Sequence, residues 1–397
     1  MNILLTSLQV PGSASGVRIH YERLADMLRA DGHRVQVLTQ ADLHPWVRRA
    51  IGGMRRALEL LGPLGKRVGL ELSQVAEIYC AIGRRPAYDV VNAQDVASGW
   101  AAHLALGGRV PVVVTGHFHD HPGQEVIKQL ALPPDSLTAH FEMSWFNFLL
   151  KRTRHFLSIS QYALGLARPY LPAQVCTAIA YNGVDMQAFR PPATPAITSL
   201  RTQFPGRPII LNIGQLEPRK NQRYLLDVIA ELRKRYPTCL LALAGQGEDE
   251  QFLRTRITEL GLVDNVVLLG YCSQVAPLLH AADLYVHTAT HENCPYALVE
   301  AMGAGCPVVA LVAGGSPELL AATPEVSLPQ STSPAALATQ LADLLDDDAA
   351  RRALQQRQYE YAHTRFDRVA MLRDTLAFYQ QAAGVLATEP APVLQSA

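Results

Sequence analysis

The chain is 397 residues long, about twice the usual size of a single domain, so two domains are expected rather than one continuous core. Apolar residues make up 49% and charged residues 18%, the profile of a folded globular chain and not of a disordered one. Lys plus Arg is 35 and Asp plus Glu is 35, and a neutral chain argues against a protein that wraps nucleic acid.

The neutrality conceals a split: residues 1–190 sum to +5 and residues 191–397 to −5, a hint about surfaces and partners but not about fold. The opening run MNILLTSLQVPG has no basic leader and is broken by Gln9, Pro11 and Gly12, so it reads as a first strand and not as a secretory signal. A glycine-rich turn from Gly12 to Gly16 follows, then a helix over 17–30 with Ile19, Leu24, Met27 and Leu28 on one side, stopped at Asp31-Gly32. Further short apolar runs at 34–39, 89–92, 110–115 and 156–160 alternate with helical patterns, which is the signature of a parallel α/β sheet.

Two segments of this first half stand out. Over 46–67, Val47, Ile51, Met54, Leu58 and Leu61 fall on one helical side and Arg48, Arg49, Arg55 and Arg56 on another, with Gly52, Gly53 and Gly62 weakening a single long helix. Two readings stand side by side: a basic amphipathic hold on an anionic membrane surface, or a solvated face packed on the sheet. The run VVVTGHFHDHPG places His117, His119, Asp120 and His121 together, which invites a metal reading.

A proline-rich stretch at 191–200 reads as a linker, after which the strand and helix rhythm restarts with strands at 209–213, 239–244, 266–269, 284–287 and 307–310. Domains are therefore expected at 1–190 and 201–366, with a helix over 367–385 returning to the first domain and a disordered tail at 386–397. Cys80, Cys176, Cys239, Cys272, Cys294 and Cys306 form no C-x-x-C pair, as expected of reduced thiols in a cytoplasmic protein. No apolar run reaches the roughly 18 to 20 residues that a membrane-spanning helix needs.

The most informative stretch is THENCPYALVEAMGAGCPVVALVAGGSPELL, over 290–320. Glu292 falls in a loop after a strand, Pro295 near the first turn of a helix and Glu300 within it. The amides of Tyr296 and Ala297 at that helix start form a natural anion site, and a carboxylate one turn further can bind a vicinal diol such as a ribose. Glu292 with Glu300, Ala301, Met302, Gly305, Pro307 to Ala310, Gly314, Gly315 and Glu318 resembles the donor-site motif of the family 4 glycosyltransferases, retaining enzymes of the GT-B fold. That resemblance implies two doubly wound Rossmann-like α/β domains facing a cleft.

Other blocks carry the resemblance along nearly the whole chain. GQLEPRKNQRYLL, from Gly214 to Leu226, is similar to the family's diphosphate clamp: Lys220 and Asn221 match, while Gln215 stands where the family has Arg, and neighbouring Arg219 is the candidate substitute. Gly245 and Gly247 match a turn that faces the nucleotide, Gly270-Tyr271 a loop that meets the base, and Asn182 to Asp185 a turn ahead of the linker. In the first half Gly16 matches the loop that approaches diphosphate or acceptor, and His117 a histidine lining the sugar pocket.

The resemblance implies that Glu300 binds the ribose, Glu292 the donor sugar hydroxyls, and Lys220 the diphosphate. It implies a nucleotide-sugar donor as co-substrate, no bound metal, and a glycan, glycolipid or small-molecule acceptor bound by the first domain. A cytoplasmic location follows, on the membrane's inner face if the 46–67 segment holds it there. A nucleotide-sugar epimerase of the same fold and a catalytically weak sugar-nucleotide-binding protein are the rival readings.

Overall fold

The computed structural model describes residues 1–12, 15–83, 88–190 and 199–384. Residues 191–198 of the expected linker, the expected tail at 386–397, and Ser13 and Ala14 of the glycine-rich turn lie outside the described residues. The chain forms two units, one of residues 1–180 with 371–397 and one of residues 181–370.

The first unit is built on six parallel strands: β1 (Asn2–Ser7), β2 (Arg34–Thr39), β3 (Val90–Ala93), β4 (Val112–Gly116), β5 (His155–Ser158) and β6 (Cys176–Ile179). They lie in the order β2-β1-β3-β4-β5-β6. Central strands are apolar on both faces because helices cover both, as a parallel sheet requires. One layer packs Leu4, Val91, Val114 and Phe156 against helices at Gly62–Ile82 and Val96–Ala105. The opposite layer packs Ile3, Leu5, Val90, Val113 and Leu157 against Leu24 and Leu28 and against Met371, Phe378 and Tyr379 of the helix Arg368–Ala382.

The basic amphipathic stretch is not one helix. Pro45–Glu59 and Gly62–Ile82 form a hairpin that turns at Gly62, whose φ of +85° only glycine adopts at low cost. The two helices pack closely at Gly65, where a Cβ would lie 2.2 Å from the Leu58 carbonyl oxygen. Val47 and Ile51 pack with Ala76 and Ala81, but Met54 is 43% and Leu61 74% exposed, so only part of the expected apolar face is buried.

This hairpin is tied to the rest of its unit by a buried charge cluster. Arg67 meets Glu71 at 2.6 Å and Glu142 at 2.6 Å, and Trp145 donates its indole N–H to Glu71 at 3.0 Å. Burial, then the Glu142 charge, push the Glu71 carboxyl up to about 7, against the opposing pull of Arg67 and Trp145. Between its ordinary value of 4.5 and about 7 the folded chain keeps a proton that the unfolded chain has lost. Stability from this group is therefore present at low pH and fades as pH rises through that window. Arg67→Met is expected to cost about 3 kcal/mol at pH 8, because two buried carboxylates lose their cation, and clearly less at pH 5. Urea unfolding at both pH values tests this; an equal loss at each would contradict it.

The second unit carries β7 (Ile209–Ile213), β8 (Leu240–Ala244), β9 (Val266–Gly270), β10 (Leu284–His287), β11 (Val308–Leu311) and β12 (Ser327–Leu328), all parallel, in the order β12-β11-β10-β7-β8-β9. Its core joins Leu225, Leu226 and Ile229 of the helix Gln222–Leu232 to Leu241, Val286, Val309 and Leu341. The units part between Ala180 and Tyr181, whereas the sequence placed the boundary at 190. Residues 181–190 group with the second unit because Val184 bridges Asp367 and Met186 packs under Gly303, where a Cβ would lie 2.6 Å from its sulfur.

Candidate active site

Strand order reverses between β7 and β10, since the chain builds β7 to β9 outward on one side and β10 to β12 on the other. Loops leaving two such strands diverge and open a crevice at their carboxyl ends, where ligands of open α/β sheets bind. The loop after β7 brings Arg219 and Lys220 to this point and the loop after β10 brings Glu292. Lys220 Nζ is paired with Glu292 Oε1, and Arg219 Nη1 lies 3.5 Å from the same oxygen. Arg219 is itself held by Glu217 at 2.6 Å and by the His291 carbonyl at 3.0 Å.

Backbone geometry aims these side chains. Asn221 is left-handed, φ +57°, which turns the chain from the Lys220 loop into the following helix; Asn and Gly are the residues that visit this region most readily. Thr288 Oγ1 donates to the Lys220 carbonyl at 3.1 Å and the Thr290 amide to the Arg219 carbonyl at 2.8 Å, so the two loops are stitched together. On the far side the Gly315 amide donates to the Glu292 carbonyl at 3.1 Å, which gives the double glycine a place in the same frame.

Burial by itself would raise the Glu292 carboxyl, but Lys220, His287 and Arg219 overcome it and hold the group down at about 2. Glu292 is 5% exposed and ionised, an acceptor fixed in a nearly dry setting. His287, the last residue of β10, was not singled out from sequence. Its Nε2 is buried 3.8 Å from Glu292, its Nδ1 is 3.3 Å from the Tyr285 hydroxyl, and burial, with Lys220 and Arg219, lowers its pKa to about 4 despite Glu292. A polar residue closing an apolar parallel strand was the available signal.

The expected nucleotide-facing glycines are packed, not merely flexible. A Cβ on Gly245 would lie 1.8 Å from the Gly214 carbonyl oxygen, and one on Gly247 would lie 2.2 Å from that of Leu216. The two turns therefore lie flat on each other, joined by the Leu216 amide to the Gln246 carbonyl at 3.0 Å. Gly214 itself faces the Lys220 side chain, while Gln215 is exposed and its carbonyl accepts from Gln222 at 3.0 Å. A register shift between Leu243 and Ala244 marks an irregularity beside Gly270, after which Tyr271 stands 74% exposed.

The helix Tyr296–Gly303 begins at the expected place, with Pro295 as its N-cap, and Glu300 sits in its second turn, 8% exposed. Asn182 donates to the Cys294 carbonyl at 2.7 Å and Tyr181 to Glu318 at 2.9 Å, so the Asn182 to Asp185 turn braces the approach to that helix.

In the first unit Gly16 opens the helix Gly16–Ala30, and a Cβ there would meet nothing within 4 Å, so packing in the unit does not require glycine at that position. His117, just past β4, has Nε2 2.9 Å from Gln94 Oε1 and its ring edge-on to His20 at 4.6 Å; burial, then the neighbouring His20 and His119, lower its pKa well below the usual range. Of its polar neighbours, Asp120 is paired with Lys128 at 2.5 Å and His121 caps the helix Pro122–Gln129 through the Gly123 amide at 3.1 Å.

Comparison with known proteins then gives a consistent result. Residues 14–188 match the family described as Glycosyltransferase Family 4, and residues 201–363 the family Glycosyl transferases group 1. The chain is 31% identical over 182 residues to a GDP-mannose-dependent α-(1-6)-phosphatidylinositol monomannoside mannosyltransferase of Mycolicibacterium smegmatis, a match covering 43% of this chain and 48% of that protein. It is 27% identical to the phosphatidyl-myo-inositol mannosyltransferase of the same organism, over 95% of this chain and 92% of the other. Among solved structures, Anabaena HepE in complex with UDP superposes with a TM-score of 0.69 at 22% identity, covering 96% of this chain and all of that one, a likeness of fold.

Proposed function

Because the chain belongs to the family 4 glycosyltransferases and is a sugar-transferring enzyme, we propose that it is a retaining enzyme. It moves a hexosyl group, mannosyl or glucosyl, from a nucleoside-diphosphate sugar to a hydroxyl of a glycan, glycolipid or small-molecule acceptor. The observation that carries this reading is the meeting of Lys220, Arg219 and buried Glu292 at the strand-order reversal of the second sheet, beside a helix whose start can take phosphate.

In this reading Lys220 and the amides of Tyr296 and Ala297 take the charge that grows on the departing diphosphate, with Arg219 in the role that Gln215 cannot fill. The acceptor oxygen bonds to the anomeric carbon on the face from which the diphosphate oxygen leaves, the acceptor proton passes to that leaving phosphate, and anomeric configuration is kept. Glu292 orients donor sugar hydroxyls as an acceptor of hydrogen bonds, and Glu300 holds the ribose diol. Neither carboxylate needs to become a nucleophile. Within the first unit, neutral His117 and the unobstructed backbone at Gly16 are the groups that would meet substrate.

The test is a panel of UDP-, GDP-, ADP- and dTDP-sugars assayed for nucleotide release with and without acceptors. One nucleoside diphosphate is expected to be preferred, and Glu300→Ala is expected to raise KM for that donor about 30-fold, the equivalent of about 2 kcal/mol for a charge-assisted hydrogen bond. Donor binding without release would sink the reading, and isomerisation of the free donor would replace it with an epimerase.

A further inference from the structure

The carboxyl-end loops of the first sheet hold Gly16 and His117, but the amino ends of its strands are also hollowed. A cavity of about 250 Å³ opens where β4 and β5 begin, and a second hollow of about 750 Å³ adjoins it beside the start of β6, with Trp100, His103, Arg152, Arg154 and His155 lining both. Because they share these five residues, the two hollows form one continuous depression open to solvent.

The lining has one sign of charge. Arg109, Lys151, Arg152 and Arg154 border these hollows with His103 and His155, no Asp or Glu lines either one, and none of the four cations makes an ion pair among the described residues. Arg18, Arg29, Arg55 and Arg67 of the same unit each have a carboxylate partner, whereas here four cations share two adjoining hollows with none. Leaving four cations together without one costs stability through mutual repulsion, which an anion would relieve.

Two of these exposed cations, Arg152 and Arg109, are also held in place. The Arg152 guanidinium lies 3.5 Å over the Phe148 ring and 5.5 Å from that of Trp100, and its Nη1 donates to the Phe148 carbonyl at 3.0 Å. Trp100 in turn stacks on His103 at 5.5 Å, and Arg109 Nε donates to the Leu106 carbonyl at 3.2 Å. A stacked guanidinium keeps its remaining N–H groups in a fixed fork, the geometry that suits phosphate.

We propose that these joined hollows are a binding site for a phosphate-bearing ligand, with Arg152 and Arg154 as its principal contacts. The hollows lie at the opposite end of their own sheet from His117, and none of the residues assigned above to donor or acceptor lines them.

Calorimetric titration of the full-length enzyme with inorganic pyrophosphate tests this, alongside Arg152→Gln/Arg154→Gln and a milder Arg154→Gln control checked for an unchanged melt. Because pyrophosphate also suits the Lys220 clamp, the expected result is one more bound equivalent in wild type than in the double variant, that component weakening about tenfold or more. A second arm uses phosphatidylglycerol vesicles against phosphatidylcholine ones. Loss of the pyrophosphate equivalent identifies a soluble phosphate ligand, and Arg-dependent pelleting on phosphatidylglycerol alone identifies a lipid headgroup; either supports the site. Equal pyrophosphate stoichiometry and equal pelleting in wild type and double variant would overturn it.

Discussion

Lys220→Ala is expected to lower kcat by about a hundredfold or more, since it removes the cation placed against the charge that develops on the leaving diphosphate. The same change leaves Glu292 buried with Arg219 at 3.5 Å as its nearest remaining cation, so stability near neutral pH is expected to fall by about 3 kcal/mol. The two effects separate by pH. The Glu292 carboxyl is held at about 2 instead of 4.5, so its stabilising contribution is full above 4.5 and is lost as pH falls toward 2. Loss of Lys220 removes most of that contribution, and the stability gap between variant and wild type is therefore expected to be widest near pH 6 and to close on acidification. Denaturant unfolding across pH 3 to 7, with single-turnover kinetics, reads both. Unchanged turnover would remove Lys220 from the reaction, and a gap constant with pH would mean that the pairing with Glu292 is not what stabilises the loop.

Gly245→Ala is expected to be the most damaging small substitution in the second unit. The added carbon would stand 1.8 Å from the Gly214 carbonyl oxygen, a backbone atom that cannot rotate away, so the turn after β8 must lift from the turn after β7. Loss of about 3 kcal/mol or more is expected from the forced shift, along with loss of measurable nucleotide binding. Gly214→Ala is the control: its Cβ would meet Lys220 side-chain carbons at 3.6 to 3.7 Å, ordinary contact distance, so the melt should hold. A Gly245→Ala protein with wild-type melting temperature and wild-type nucleotide affinity would show that the two turns do not depend on each other.

Much of this was legible in the sequence because parallel strands covered on both faces are written as apolar runs. The stretches at β1, β2, β7 and β10 were read nearly to the residue. Cys176–Ile179 escaped because it is an edge strand of half-buried residues, CTAI, with neither a long apolar run nor a clean alternation, and Ser327–Leu328 is only two residues long. At the site, Lys220, Glu292 and Glu300 were singled out through their resemblance to family motifs, which a sequence can carry because a loop and the helix after it are contiguous in the chain. Contacts between loops left no such mark. That Gly245 lies on Gly214 depends on strand order, and that Asn182 reaches Cys294 depends on tertiary packing, neither of which periodicity encodes.

The helix Arg368–Ala382 has a bearing on any attempt to separate the two halves. Met371, Phe378 and Tyr379 cover, together with Leu24 and Leu28, the layer beneath Ile3, Leu5, Val113 and Leu157, although nearly two hundred residues of the second unit intervene in the chain. An excised N-terminal fragment ending at 190 would carry that layer half uncovered and is a poor candidate for autonomous folding, whereas the same fragment joined to residues 368–384 would be closed. Folding of the first half is thus coupled to synthesis of the second: its closing helix is made only after the whole of the second unit.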